Sequence, residues 1–176
     1  MPGPVPMLDA TFRLAAPADL PALRRLVERA YRGDTARQGW THEADLLDDE
    51  RTSDAELATA IAAPDRCVIV AQTADGALIG TVTLIALPQG KAYLGMLCVD
   101  PDVQAGGLGR ALLAHCDAVA KSQLGAGAIE MTVIDRRPEL IAWYERRGYV
   151  RTGETRPFPG ATPVDFAMVV LERKVS

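Results

Sequence analysis

Cysteine and histidine are scarce, with three of one and two of the other in 176 residues, and neither is grouped. Cys67, Cys98 and Cys116 stand far apart, with no CxxC and no Cys/His ligand spacing. That argues against a disulfide framework and predicts three small buried hydrophobes in a reducing compartment. His42 and His115 are distant in sequence, so no metal site is expected. Positive charge is also short: 19 Lys and Arg face 23 Asp and Glu, a formal charge of −4. No basic stripe remains to neutralise phosphates, which excludes a nucleic-acid-binding module. No apolar run approaches the ~18 residues of a spanning helix, so no membrane partner is expected. The opening Met-Pro-Gly-Pro-Val-Pro-Met has neither a positive region nor an apolar one, and residues 1–9 read as a disordered lead-in. There is no repeat and no second composition. The expectation is one cytoplasmic domain over 10–176, monomeric or homodimeric.

What the chain does have is a change of period. Leu20, Leu23, Val27 and Ala30 stripe an amphipathic helix over 18–31, and Asp19 suits its first turn. A short helix over 41–48 follows. Ser53-Asp-Ala-Glu56 is a capping box that opens a further helix, stopped by Pro64. The period then drops to two. Residues 67–73, an Asp75-Gly76 turn and residues 78–87 make a hairpin, and 92–99 follows as a central strand. Beyond a helix ending near Gly125, residues 128–134 are a strand with Ile129, Met131 and Val133 facing one way and Glu130 the other. Pro138 opens a helix that Gly148 stops, and strands over 149–155 and 164–172 finish the chain. The helix over 107–125 supplies the crossover that a parallel pair requires. An α/β (α+β) fold results, with a mixed, mostly antiparallel sheet of about seven strands flanked by helices.

Between the central strand and that helix lies Gln104-Ala105-Gly106-Gly107-Leu108-Gly109-Arg110. Glycine allows positive φ and a close approach to the main chain. The first N–H groups of a helix lack helical partners and sit at its positive end, which makes an anion site suited to phosphate. A nucleotide-triphosphate loop needs Lys and Ser/Thr after the last glycine, and Arg110-Ala111 stands there instead. The dinucleotide fingerprint needs a third spaced glycine, and Leu112 occupies its place.

The six residues from Gln104 to Gly109 resemble the Q/R-x-x-G-x-G/A signature of the GNAT acetyltransferases. Leu140-Ile-Ala-Trp-Tyr144-Glu-Arg-Arg-Gly148-Tyr149 is similar to that family's second motif. The element order agrees from about residue 10 to 172. The resemblance implies acetyl-CoA as cosubstrate, with its pyrophosphate on the loop from Gln104 to Gly109 and Arg110 among the cofactor-binding residues. It also implies pantetheine against the backbone of Leu97, Cys98 and Val99, and Tyr144 as the acid that protonates the leaving thiolate. Where the family often has Asn seven residues before that tyrosine, this chain has Arg137, a cofactor contact of altered chemistry.

Acyl transfer from a thioester to an amine needs a neutral amine, a donor to the developing oxyanion and a proton for the thiolate. A phenol of pKa ~10 is protonated at neutral pH and meets the last need. Cys98 invites a covalent acyl-enzyme. No His or Lys is near it in sequence to activate it, so direct transfer is expected. In similar proteins the segment after the first helix lines the acceptor site. Here it offers Trp40 as an apolar wall and Glu43 as the carboxylate that attracts the amine and takes its proton, with Glu130 the rival base. The expected function is N-acetylation of a primary amine on a small molecule or peptide. The alternative is a GNAT-like module that holds acyl-CoA as a sensor and transfers nothing.

Overall fold

A computed structural model describes residues 10–31, 53–157 and 165–175, except for the side chains of Tyr31 and Gln104–Gly106. Seven strands form one sheet in the order β1-β2-β3-β4-β5-β7-β6. They are β1 (Ala10–Leu14), β2 (Arg66–Thr73), β3 (Leu78–Leu87), β4 (Lys91–Val99), β5 (Ala128–Ile134), β6 (Val150–Pro157) and β7 (Ala167–Lys174). Every neighbouring pair is antiparallel except β4 and β5, the pair joined through a helix. The four described α-helices are α1 (Leu20–Tyr31), α2 (Asp54–Ala62), α3 (Leu108–Leu124) and α4 (Pro138–Glu145).

Two helical layers sandwich the sheet, and β2 shows why. Its run Cys67-Val-Ile-Val-Ala71 is buried throughout, as a strand covered on both faces must be. Val68 and Val70 meet Leu23, Leu26, Val27 and Ala30 of α1. Cys67, Ile69 and Ala71 instead join the larger core under α3, with Leu112, Cys116 and Ile129. α3 can lie close because β3 carries Gly80. A Cβ there would stand 2.9 Å from the Leu112 side chain and 3.2 Å from that of Leu108. At the far edge, β6 is exposed along nearly its whole length and carries Arg151, Glu154 and Arg156, charges that discourage edge pairing.

Element ends differ from the sequence expectations for local reasons. The first helix opens as a 3-10 turn, Pro17–Asp19. There the Asp19 carboxylate accepts the Ala16 N–H at 2.7 Å and two bonds from Arg13, at 2.7 and 2.9 Å. Ser53 caps α2 as its pattern foretold, accepting from the Glu56 N–H at 3.2 Å. α4 stops at Glu145, two residues short of the expected end, because the Arg147 and Gly148 N–H groups turn back to the Tyr144 and Glu145 carbonyls. β7 begins at Ala167 and runs to Lys174, later than expected. The helix expected over 41–48 and the lead-in over 1–9 lie outside the described residues.

Candidate active site

The ladder between β4 and β5 covers only Lys91–Tyr93 against Ala128–Glu130. Past those residues the two strands run on without further pairs, to Val99 and Ile134. A bulge in β4 falls at the same point. Thr83 faces Gly95 and Thr81 faces Cys98, so two β4 residues oppose one on β3. Met96 there has φ +55°, a left-handed conformation that costs a non-glycine residue on the order of 1–2 kcal/mol. The extra residue reverses the alternation along the strand. Before it, Ala92 and Leu94 face α3; after it, Leu97 and Val99 do, while Met96 and Cys98 pack towards α1. The Cys98 thiol is therefore buried against α1 and donates to the Met96 carbonyl at 3.5 Å.

After Val99 the chain passes through a 3-10 turn, Pro101–Gly106, in which Gln104, Ala105 and Gly106 lie. Asp100 anchors it, accepting the Asp102 N–H and pairing with Arg29 of α1 at 3.1 Å. Gly107 then adopts φ +79° and starts α3. A Cβ on Gly107 would find no atom within 4 Å, so the loop's outer side is open. Leu108 is buried beneath it, and Gly109 and Arg110 complete the first turn.

α4 packs beside the first turn of α3. The indole of Trp143 lies 3.5 Å from where a Gly109 Cβ would stand, which ties the second motif to the first. Tyr144 is 7% exposed, with its ring edge-on to Trp143 at 5.1 Å and to Tyr149 at 5.9 Å. Arg173 of β7 fixes this corner. Its Nη2 is ion-paired with Asp117 of α3, its Nη1 donates to the Arg147 carbonyl at 3.3 Å, and its guanidinium lies 5.5 Å from the Tyr149 ring. Burial pushes the Tyr149 hydroxyl well above the usual phenol range and the Cys116 thiol up to about 12. Both stay protonated at neutral pH, so neither is a nucleophile there. Arg137 is buried at the start of α4, with Nε 3.0 Å from Glu139.

On the opposite face of β5, Glu130 is also buried, its carboxylate 2.7 Å from Arg156 of β6. The Tyr93 hydroxyl reaches across from β4 to Thr132 at 2.6 Å, and Lys91 meets Glu172 at 3.0 Å. Sequence alternation placed Glu130 correctly, but its partner Arg156 carried no signal. The bulge at Met96 and the Asp117–Arg173 pair were likewise missed, since neither leaves a local pattern. Trp40 and Glu43 lie outside the described residues. His115 stacks on Phe12 at 5.2 Å, and no cluster of three metal-ligating side chains occurs among the described residues.

Comparison with known proteins gives this architecture a class. The model of the acetyltransferase (GNAT) family matches residues 20–149. The S-(2-succino)cysteine N-acetyltransferase of Bacillus subtilis (strain 168) is 30% identical over 151 residues, covering 81% of this chain and 86% of that protein. Among solved structures, the ribosomal-protein-S18-alanine N-acetyltransferase of Escherichia coli superposes with TM-score 0.72 at 21% identity, over 95% of this chain and 94% of that one. A spermidine N-acetyltransferase from Vibrio cholerae, in complex with CoA and spermine, gives 0.69 at 20% identity, over 94% and 95%. These two likenesses show the fold. The chain belongs to the GNAT acetyltransferase family, and it is an N-acetyltransferase that uses acetyl-CoA.

Proposed function

We propose that the protein transfers an acetyl group directly from acetyl-CoA to the primary amine of a small molecule or peptide, with Tyr144 as general acid. The observation that carries this reading is the parallel β4/β5 pair, which stops pairing after Tyr93 and Glu130, with the glycine loop at the end of β4 and the Trp143–Tyr144 corner of α4 packed on Gly109 of that loop. The residues present fit the donor. Gly107 leaves space where a Cβ would stand, at the head of a 17-residue helix whose first N–H groups lack helical partners, with Arg110 in its first turn. Acetyl-CoA supplies an activated acyl thioester, and everything else falls to the chain. The loop from residue 104 to 109 holds the pyrophosphate, and Arg110 adds a further cofactor contact. The backbone of Leu97, Cys98 and Val99 lies along the pantetheine and offers a donor to the oxyanion. Arg137 supports that side from beneath α4, and the Tyr144 hydroxyl gives its proton to the departing thiolate.

Burial of Cys98 against α1 supports direct transfer over a covalent acyl-enzyme. On the acceptor side we assign Trp40 as a wall and Glu43 as the base. Glu130, already held by Arg156 at 2.7 Å, serves as part of the pocket lining. The relative that acts on S-(2-succino)cysteine supports a small amino acid among the acceptors. The test is thiol release from acetyl-CoA against a panel of S-(2-succino)cysteine, free amino acids, spermidine and peptides with amino-terminal alanine. Turnover with at least one amine is expected. Tight binding of acetyl-CoA with no release against any amine would replace this reading with the sensor alternative.

A further inference from the structure

In a chain of net charge −4, one cluster of positive charge stands out beside the glycine loop. Arg110 follows Gly109 in the first turn of α3, while Arg146 and Arg147 close α4. The Arg147 guanidinium lies over the indole of Trp143, 4.2 Å from its centroid, and its Nη1 donates to the Trp143 carbonyl at 3.1 Å. Trp143 in turn touches Gly109, so the cation stands across one indole from the loop. Among the described residues, none of these three arginines has a carboxylate within salt-bridge distance. The Arg147 Nε is buried without an acceptor. Burial, then repulsion from Arg110 and Arg146, lowers the Arg147 guanidinium from its ordinary range. Arg110 and Arg146 act on Arg147 as like charges, and among the described residues no carboxylate offsets them; an anion would, and arginine suits phosphate because its planar fork donates in pairs.

We infer that Arg147, over the Trp143 indole, and Arg110, next in the chain to the Gly109 that this indole touches, bind the 3′-phosphate of CoA and make the enzyme discriminate CoA from 3′-dephospho-CoA. The inference rests on the acetyl-CoA reading above and extends it. The loop's N–H groups serve the pyrophosphate, whereas a phosphate monoester carries more charge and sits one ribose away. Backbone donors alone would hold the pyrophosphate of both molecules equally. Only side-chain cations beyond the loop tell them apart.

Calorimetric titration of the full chain with CoA and with 3′-dephospho-CoA tests this without turnover. CoA is expected to bind about tenfold or more tightly than the dephospho compound, the size of one charge-assisted contact. Arg147→Gln and, separately, the exposed Arg110→Gln should each shrink that ratio by weakening CoA alone, and Arg147→Lys should restore part of it. Equal binding of the two compounds by the unaltered protein overturns the inference while leaving the cofactor reading intact. So does a variant that weakens both to the same degree, since the arginines would then serve the pyrophosphate. Failure of either compound to bind removes the cofactor reading, and this one with it.

Discussion

Two carboxylate–arginine pairs lie back to back across the same sheet, and they do different things. On β7 the adjacent residues Glu172 and Arg173 stand opposite Glu130 and Ile129 of β5, so their side chains leave by opposite faces. Arg173 turns towards α3 and meets Asp117 beneath a helix, where it also grips the carbonyl of Arg147. Glu130 faces the other way and meets Arg156 of the edge strand β6, whose side chain is 37% exposed. The described helices of that second face, α1 and α2, sit over β2, β3 and β4. Covered by a helix, an ion pair becomes part of the frame that positions α4 and Tyr144. Beside a stretch of sheet that no described helix covers, the same chemistry ties the sheet to its edge strand.

The contrast breaks most directly in unfolding. Arg173→Met leaves the Asp117 carboxylate under α3 without its guanidinium, and urea unfolding should show a loss of about 3–5 kcal/mol. Asp117→Leu combined with Arg173→Met should recover most of it, because no charge is then stranded. Arg156→Gln, on the other face, should cost less, about 1–3 kcal/mol, because the Arg156 side chain is the more exposed of the two arginines and glutamine can still donate to the buried Glu130 carboxylate. Equal losses from the two single changes would erase the distinction drawn here.

Turnover sharpens the same comparison. An amine of pKa ~10 is mostly protonated at pH 7, so loss of the base matters most there. Glu43→Gln should lower kcat/KM for the amine by roughly 10–100-fold at neutral pH and recover partly above pH 9. Glu130→Gln should change the KM for the amine with no such pH dependence. The reverse pattern moves the base from the segment after α1 to the sheet.

The smallest expected effect is a third pair, Asp19 with Arg13, at the entrance to α1. The Arg13 guanidinium, and the Ala16 N–H after it, hold the Asp19 carboxyl below its ordinary value. A depressed carboxylate contributes stability that is present above its unfolded pKa of ~3.9 and is lost as pH falls through the folded value. Asp19→Asn should therefore lower Tm by about 2–4 °C at pH 7, and the difference should close in acid below the carboxylate range.

Much of the framework around the glycine loop was legible in the chain because its signals are local. Gly107 needs φ +79°, and glycine announces it; the helix after it predicts the parallel pair that β4 and β5 form. The alternation of Ile129, Glu130 and Met131 put Glu130 on the face where it is found. Met96 gave no warning, since methionine carries no preference for positive φ and the bulge is imposed by the strands around it. Asp117 and Arg173 are 56 residues apart, and no periodicity links an acid on a helix to a base on the last strand. Arg147 was visible only as part of a motif, and its seat on Trp143 depends on how α4 lies against α3. Trp40 and Glu43, the acceptor residues read from the sequence, lie outside the described residues.

The central claim is that acetyl transfer takes place where β4 and β5 part, with Tyr144 protonating the leaving thiolate. Single-turnover measurement of Tyr144→Phe, alongside its affinity for acetyl-CoA, tests it most directly. The substitution keeps the ring packed between Trp143 and Tyr149 and removes only the hydroxyl. The account predicts a transfer rate lower by about 10²–10⁴-fold with acetyl-CoA affinity changed less than about threefold. A Phe variant that transfers at the unaltered rate would contradict it.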